Sequence, residues 1–311
     1  MCITPDLEEE AKSFETLKTA LNGDRDLAYG ILKSSGLDLS SPFPSISEKI
    51  SQKVKIDREA LDTLWRDVRA SFDKERVDYK IIPDTSPLFP FSVKSEPVHY
   101  LYAAGNTELL SQYKIAFLGM GLPSLQGKED TARAVEAAVE SGAVVASPLD
   151  LGLPAFALSR ALKLGGSAIA ILSSFVSKCP NENLMELMSE VYKKGLLLTE
   201  FSPYQKREKW HVVYRNKGIA ALADAAFLAE EKDGGPSWAI FDGILKRGMP
   251  AGISKNAIEN PNYRWCKERA GEGAIEITKC SNIKKLLSRP KRVRKKEYIE
   301  LTPDLFSVTH K

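Results

Sequence analysis

The sequence predicts an α/β protein: a Rossmann-like, doubly wound and mostly parallel sheet, with a small helical domain before it and a basic tail after it. Three observations predict this arrangement. From about residue 113 onward, short apolar runs alternate with amphipathic segments of helix length, which is typical of parallel strands covered by helices, and we assign residues 79–277 to this domain. Helical periodicity without such strands occupies residues 1–78. Residues 278–311 lose the periodicity and become strongly basic.

The N-terminal segment is predicted to be helical because its apolar residues recur every three or four positions. This spacing runs from Leu7 to Leu21 and again from Arg58 to Phe72, and residues 27–33 fit a second short helix. The intervening residues 34–47 are rich in Ser and Pro and are predicted to form a loop. A small independent domain and an arm packed on the next domain both agree with this pattern.

The composition excludes several classes of function. The chain has 311 residues with three His and four Cys, and no two Cys are spaced as in a CxxC pair. Zinc hydrolases, zinc ribbons and redox dithiols are therefore not expected, and neither is a bound metal. The sequence has no apolar run of about 18 residues and no signal-peptide core at its acidic N-terminus, which favours a cytoplasmic protein that does not enter membranes.

The net charge of +3 conceals an uneven distribution. From Ala274 onward there are ten Lys/Arg and four acids, which gives +6, so the preceding residues carry −3. Residues 284–296 alone hold eight basic residues, among them Lys291, Arg292 and Arg294. A run of this kind is either a solvated tail or an arm that binds phosphates.

The strand predicted at residues 114–118 runs directly into the loop GMGLPSLQG. Gly119 and Gly121 permit a tight turn, and we expect the helix that follows to offer free N–H groups to an anion. The pattern is not a dinucleotide fingerprint, because Ser124 stands at the third glycine position and no acid ends the next strand. We therefore expect a phosphate-binding loop without a resident cofactor. Ser147, at the end of the next strand, either caps a helix or contacts a phosphate.

Five segments, taken in order, carry a resemblance to a known family. They are PVHYLYAAGN (97–106), IAFLGMGLPSLQG (115–127), KCPNEN (178–183), GLLLTEFSP (195–203) and WHVVYRNKGIAALADA (210–225). The region from Tyr79 to about Ile277 resembles the DNA-processing protein A (DprA/Smf) family. The resemblance implies a non-enzymatic homodimer, assembled through the C-terminal half of the Rossmann-like domain. Such a protein binds single-stranded DNA and assists the loading of a RecA-type recombinase during natural transformation.

The same resemblance suggests which residues form the binding site. It implies a phosphate clamp, in a turn ahead of a short helical stretch, made by Arg215, Asn216 and Lys217. An ordinary surface turn is the alternative. His211 precedes a strand-like VVY segment, and we expect it to be a positioned or stacking residue rather than a general acid. Trp210 and Tyr214 flank His211 and either stack on bases or belong to the core.

The chain departs from the family pattern at the pocket. Four positions that carry Arg, Arg, Asp and His in the family are not polar here: Gly121, Leu151, Pro154 and Leu158. An arginine clamps phosphate in a way that Gly and Leu cannot, so we hypothesise that the basic tail supplies the attraction that the pocket lacks. Two alternatives remain open: a nucleotide or small-ligand sensor on a Rossmann-like (SLOG-type) fold, and a scaffold that has lost ligand binding.

Overall fold

The computed structural model describes residues 5–90 and 98–287, and within them the chain forms a single sheet with helices on both faces. Its strands are β1 (Lys80–Pro83), β2 (Tyr100–Gly105), β3 (Lys114–Leu118), β4 (Val144–Pro148), β5 (Ala168–Ile171), β6 (Leu196–Thr199), β7 (Ala225–Leu228), β8 (Ala251–Ser254) and β9 (Ile275–Ile277). They lie in the order β1-β2-β6-β5-β4-β3-β7-β8-β9. Strands β3 to β9 are parallel, and β1 and β2 add antiparallel pairs at one edge. The predicted α/β class with a mostly parallel sheet is confirmed.

The helices of the described ranges fall into an N-terminal group and a group that covers the sheet. The first group is α1 (Pro5–Ala20), α2 (Arg25–Ser34), α3 (Ser47–Val54) and α4 (Arg58–Asp73). The second group is α5 (Leu125–Glu140), α6 (Leu153–Lys163), α7 (Met185–Lys194), α8 (His211–Leu222), α9 (Ser237–Lys246), α10 (Lys255–Glu259), α11 (Arg264–Gly271) and α12 (Cys280–Leu287). None of them is long and apolar enough to cross a membrane.

The two faces of the sheet have separate hydrophobic cores, because strand residues alternate between them. On β3, Ile115 and Phe117 belong to one core, and Ala116 and Leu118 belong to the other. The first core is covered by α5, α6, α7, α12 and the N-terminal helices. The second is covered by α8, α9 and α11. Helices on both faces are what a doubly wound sheet requires.

The N-terminal helices pack against the sheet rather than standing apart from it. Phe72 at the end of α4 contacts Tyr102 on β2, with ring centroids 6.1 Å apart, and Tyr102 in turn contacts Phe175 at 5.6 Å. The boundary predicted at residue 78 falls between α4 and β1. The segment predicted to be a loop, residues 34–47, contains a short 3-10 turn at Phe43–Ser45 because the ring of Phe43 is fully buried.

The C-terminal part of the described chain contains a helix that the sequence reasoning missed. We expected periodicity to end at Ile277, and this is wrong for α12. Ile283 and Leu286 are spaced three residues apart, which places both on one face of the helix, and both are buried in the core. The hydroxyl of Tyr113 also donates a hydrogen bond to the Leu286 carbonyl at 2.5 Å. Residues 288–311 lie outside the described ranges.

The order of the strands reverses at β3. From β3 the chain builds β4, β5 and β6 on one side, and then crosses over to β7, β8 and β9 on the other. The loops that leave β3 and β7 therefore run in opposite directions and leave a crevice beyond their carboxyl ends. Ligands of open α/β sheets bind at such a switch point.

Candidate functional site

A cleft of about 400 Å³ lies at this switch point. Its walls are mostly apolar, with a small number of polar groups, as is usual for sites that take small organic groups. The predicted site residues that line it are Gly119, Gly121, Arg215 and Asn216. The structure thus brings the predicted glycine loop and two of the three predicted clamp residues to one place.

The N-terminus of α5 is already occupied by a side chain of the protein. Glu230, which follows β7, accepts the Ser124 N–H at 2.6 Å with one carboxylate oxygen and the Ser124 hydroxyl at 2.8 Å with the other. The Glu230 side chain is buried, with 6% exposure. The Ser124 hydroxyl oxygen in turn accepts the Gly127 N–H at 2.9 Å and so caps the helix. We expected free N–H groups here, and in this respect the prediction is wrong, because Ser124 and the Glu230 carboxylate stand where an anion would bind. Phosphate binding by Gly119, Gly121 and Ser124 stays a prediction, and it requires Glu230 to move.

Two glycines of the loop make this internal packing possible. A Cβ atom at Gly127 would lie 2.4 Å from the carboxyl carbon of Glu230. Gly119 has φ +152°, and a Cβ there would lie 2.5 Å from Leu153 Cδ1. Both positions therefore need glycine for contacts within the chain itself, whatever binds in the cleft.

The second helix at the switch point is satisfied in the same manner. Glu231, with 3% exposure, accepts the backbone N–H of Ser237 at the start of α9, at 3.3 Å. It also accepts the N–H of Lys232 at 3.0 Å. The pKa of Glu231 is raised, because the effect of burial exceeds the opposing effect of these hydrogen bonds. Two consecutive glutamates thus fill both helix N-termini that flank the crevice.

Arg215 is buried and paired. Arg215 lines the cleft, and only 3% of the residue is exposed. Its Nη1 donates a hydrogen bond to Asp150 Oδ2 at 2.7 Å. Nε and Nη2 both donate to Oδ1 of Asn216, at 3.1 and 2.9 Å. Asn216 Nδ2 in turn donates to the Pro236 carbonyl at 3.4 Å. Asn216 therefore holds the guanidinium, while Asp150 neutralises its charge, and the role of these residues in clamping a phosphate stays a prediction.

Two further predicted site residues have other surroundings. Ser147 is fully buried, and its hydroxyl donates to the Phe117 carbonyl at 2.8 Å. It cannot reach a phosphate in this conformation, and it does not cap α6. Lys217 does not line the cleft; its Nζ lies 5.1 Å from the centroid of the Tyr214 ring. Lys291, Arg292 and Arg294 lie outside the described residues.

The segment from His211 to Leu222 is helical throughout. The predicted strand at Val212–Tyr214 and the predicted turn at Arg215–Lys217 are both wrong. The β-branched pair Val212 and Val213 favours a strand locally, but helical spacing buries His211, Arg215 and Ile219 together against the sheet. Tertiary packing decides the conformation here.

His211 is a stacked, buried residue, consistent with the role predicted for it. Its ring lies parallel to Phe201, with centroids 4.0 Å apart and an interplanar angle of 11°. Nδ1 lies 3.2 Å from the Ser173 carbonyl, so the neutral ring donates its proton there. Burial lowers the pKa of His211 to about 4. At neutral pH the ring is therefore uncharged.

The two flanking aromatic residues differ in accessibility. Trp210 is 41% exposed, and its edge contacts Phe201 and Tyr214. Tyr214 is only partly exposed, and the Arg25 guanidinium lies 4.7 Å from its ring centroid. Arg25 also forms an ion pair with Glu200, which follows β6. Trp210 is thus available for stacking, while Tyr214 is engaged with the N-terminal helices.

The sequence reasoning missed a basic loop beside the cleft, which we define as residues 205–210. Lys206, Arg207 and Lys209 are all exposed, and Arg207 lines the cleft and donates to the Pro180 carbonyl at 3.1 Å. Three cations within four residues, directly before the family-like WHVVYRNKG segment, were a visible signal. No group of His, Cys, Asp and Glu in the described ranges is arranged to hold a metal.

We predict that Glu230→Ala destabilises the protein and that inorganic phosphate partly restores its stability. The variant loses the acceptor for the α5 N-terminus, which costs about 2 kcal/mol. Phosphate can then bind the exposed N–H groups. Urea unfolding in chloride and in phosphate buffer measures both effects. Glu129→Ala, which removes an exposed acid from α5, is the control. Equal shifts in phosphate for both variants would contradict the prediction.

We predict that His211 makes stability depend on pH in the acid range. The folded pKa is about 4, below the ordinary value of about 6.5, so unfolding takes up a proton in this window. The free energy of unfolding should fall by about 2–3 kcal/mol from this residue as the pH drops from about 6.5 to about 4. Urea titrations of the wild type and His211→Gln at both ends of the window measure it. The same loss in both proteins would refute the assignment.

Comparison with known proteins gives consistent results. The sequence model of the family described as DNA recombination-mediator protein A matches residues 80–288. DNA processing protein DprA of Bacillus subtilis (strain 168) is 27% identical over 256 residues, which cover 78% of this chain and 86% of that protein. DprA of Streptococcus pneumoniae (strain ATCC BAA-255 / R6) is 25% identical over 205 residues, covering 66% and 72%.

Solved structures agree on the fold. The X-ray structure of DprA from Streptococcus pneumoniae superimposes with a TM-score of 0.69 at 21% identity, covering 93% of this chain and 99% of that one. DprA from Helicobacter pylori, a protein described for its single-stranded DNA binding mode, gives a TM-score of 0.60 at 23% identity, covering 68% and 97%. The family match spans about two thirds of the sequence, from β1 to the end of α12. The chain belongs to the DNA recombination-mediator protein A family.

Proposed function

We propose that this protein binds single-stranded DNA and passes it to a RecA-type recombinase during recombination and DNA uptake, without catalysing a reaction. The observation that carries the proposal is the family match over residues 80–288. The curated relatives are named as DNA processing proteins over most of their own length, which supports a shared role for the whole domain. Assembly as a homodimer and a cytoplasmic location belong to the same proposal, on the strength of the family resemblance.

The geometry supports DNA contact at the rim of the cleft rather than in its interior. Inside, Glu230 and Glu231 fill the helix N-termini and Asp150 neutralises Arg215. Directly before α8 in the chain, the basic loop presents three exposed cations, of which Arg207 lines the cleft, and Trp210 presents an accessible ring. Cations that follow the backbone and aromatic rings that stack on bases are the usual parts of a single-strand interface.

A second candidate function is a sensor for a nucleotide or another small ligand. One observation favours it: the cleft has apolar walls and few polar groups, and its volume of about 400 Å³ suits a small organic molecule. Such a protein would bind the ligand without any salt-dependent affinity for oligonucleotides. A scaffold without ligand binding would bind neither.

We predict that the triple variant Lys206→Ala/Arg207→Ala/Lys209→Ala weakens binding of an oligo-dT strand about tenfold at low salt, because each lost phosphate contact reduces the electrostatic attraction. The slope of log affinity against log salt should fall in magnitude by about two. Fluorescence anisotropy across a salt series measures both. A control variant changes three exposed lysines far from this loop in sequence to Ala: Lys49 and Lys53 on α3, and Lys74 directly after α4. If both variants lose the same affinity, the basic loop is not the interface.

We predict that removing residues 288–311 abolishes most single-strand binding at moderate salt, because this segment has seven Lys/Arg against three acids and so carries a net charge of +4. A cut at residue 284 is unsuitable, since it would remove Leu286 from the core. A full-length variant with Lys291, Arg292 and Arg294 changed to Gln distinguishes the effect of losing positive charge from the effect of shortening the chain. Unchanged binding by both variants would exclude the tail from the interface.

A further inference from the structure

Of the three charged side chains that line the cleft, Asp150 and Arg215 compensate each other, while Arg207 contacts the neutral Pro180 carbonyl. The Arg215 guanidinium is held between Asp150 and Asn216, with 2.7 Å from Nη1 to Asp150 Oδ2. Within a few residues of the cleft wall, Glu230 and Glu231 neutralise the positive ends of α5 and α9. Beside the Arg215–Asp150 pair, an entering phosphate therefore gains little net attraction and meets the fixed charge of the Asp150 carboxylate. This part of the cleft is poorly suited to a phosphate, and the remaining cation of the lining, Arg207, belongs to the exposed basic loop.

One strong hydrogen-bond acceptor in the cleft remains unused. Asp150 is 41% exposed at its side chain and lines the cleft. Its Oδ2 is bonded to Arg215, while its Oδ1 accepts no hydrogen bond from any residue in the described ranges. A carboxylate oxygen of this kind accepts from an amino group, as acidic side chains do from the exocyclic amine of cytosine.

Apolar side chains line much of the same cleft, namely those of Pro148, Leu149, Leu151, Pro154, Pro236 and Ile240, and Asn181 and Ser237 also line it. The faces of a planar, uncharged base are apolar and gain from burial against such side chains, and a volume of about 400 Å³ is ample for one base. Arg207 of the basic loop also lines the cleft, and Lys206 and Lys209 of the same loop are exposed, so the phosphates of the same nucleotide chain would lie along this loop.

We propose that the cleft is a subsite for a nucleobase with an exocyclic amino group, which donates a hydrogen bond to Oδ1 of Asp150. The phosphates remain outside, at the basic loop. Where the base is part of a DNA strand, this inference rests on the proposed function. A free nucleoside carries the same amino group and is the other source of this chemistry.

The experiment compares ligands that differ in the exocyclic amino group of the base. Oligo-dC and oligo-dU have the same backbone, and their bases differ at the C4 substituent and the adjacent ring nitrogen. At neutral pH and moderate salt, the wild type should bind oligo-dC about tenfold more tightly, the effect of one hydrogen bond to a charged acceptor. Cytidine and uridine are tested as free nucleosides, by calorimetry and as competitors of the oligonucleotides. They show whether the cleft binds a base that is not part of a strand.

The variant Asp150→Asn changes the reading group without changing its shape. The neutral amide replaces the carboxylate, so the charged acceptor is lost and the positive charge of Arg215 is no longer neutralised by Asp150. The preference for oligo-dC should therefore disappear, while affinity for both strands and the salt slope should rise. Glu129→Gln, which removes the same charge from an exposed position on α5 outside the cleft, should keep the preference. Thermal unfolding establishes that each variant is folded.

The outcomes separate this inference from the proposed function. If the wild type binds both oligonucleotides equally tightly, the inference of a base subsite is overturned and the proposal of DNA binding stands. The wild-type protein alone is sufficient for this test. Binding of cytidine over uridine without binding of either strand supports the subsite and overturns the proposed function. A preference that survives Asp150→Asn assigns the reading to another residue and also overturns the inference.

Discussion

The site depends on one constraint: two helices begin at the switch point of the sheet, and their N-terminal N–H groups must be satisfied. Glu230 and Glu231, adjacent residues after β7, meet this need at α5 and at α9. Gly127 has no side chain because the Glu230 carboxyl group takes that space. The glycine loop, the two helix starts and the floor of the cleft are therefore one assembly, in which the carboxylates replace an external anion.

The N-terminal helices are joined to this assembly through α8. Arg25 on α2 pairs with Glu200 and lies over the ring of Tyr214 on α8. Arg215 follows Tyr214 directly and reaches the cleft from the same helix. The position of α8, and with it the Arg215–Asp150 pair, thus depends on contacts with a part of the chain far away in sequence. The family match begins only at residue 80, so these contacts lie partly outside it.

Much of the fold could be predicted, because the parallel strands β3 to β8 are short runs buried on both faces, as KIAFL at β3 shows. The site could be predicted only in part. Gly119 and Gly121 come from a local pattern, Arg215 and Asn216 come from the family resemblance, and these four do meet at the cleft. Ser124 and Lys217 do not line it. The pairing of Arg215 with Asp150 joins residues from two distant segments, and nothing in either segment alone indicates it. The helical stretch predicted at 218–222 is the end of α8, and the first part of this helix was missed because Val212 and Val213 resemble a strand until the burial of His211 is known.

The distribution of charge then has a physical explanation at two scales. Over the sequence, the residues before Ala274 carry −3 and the remainder carries +6. At the site, the interior is neutralised while the exposed cations stand on the basic loop. A polyanion is attracted by accessible positive charge and is screened by salt. A buried, paired arginine contributes little to that attraction and instead fixes the Asp150 carboxylate in place. In the function proposed above, the cleft would therefore select the uncharged part of a ligand, and the basic loop and the tail would capture it.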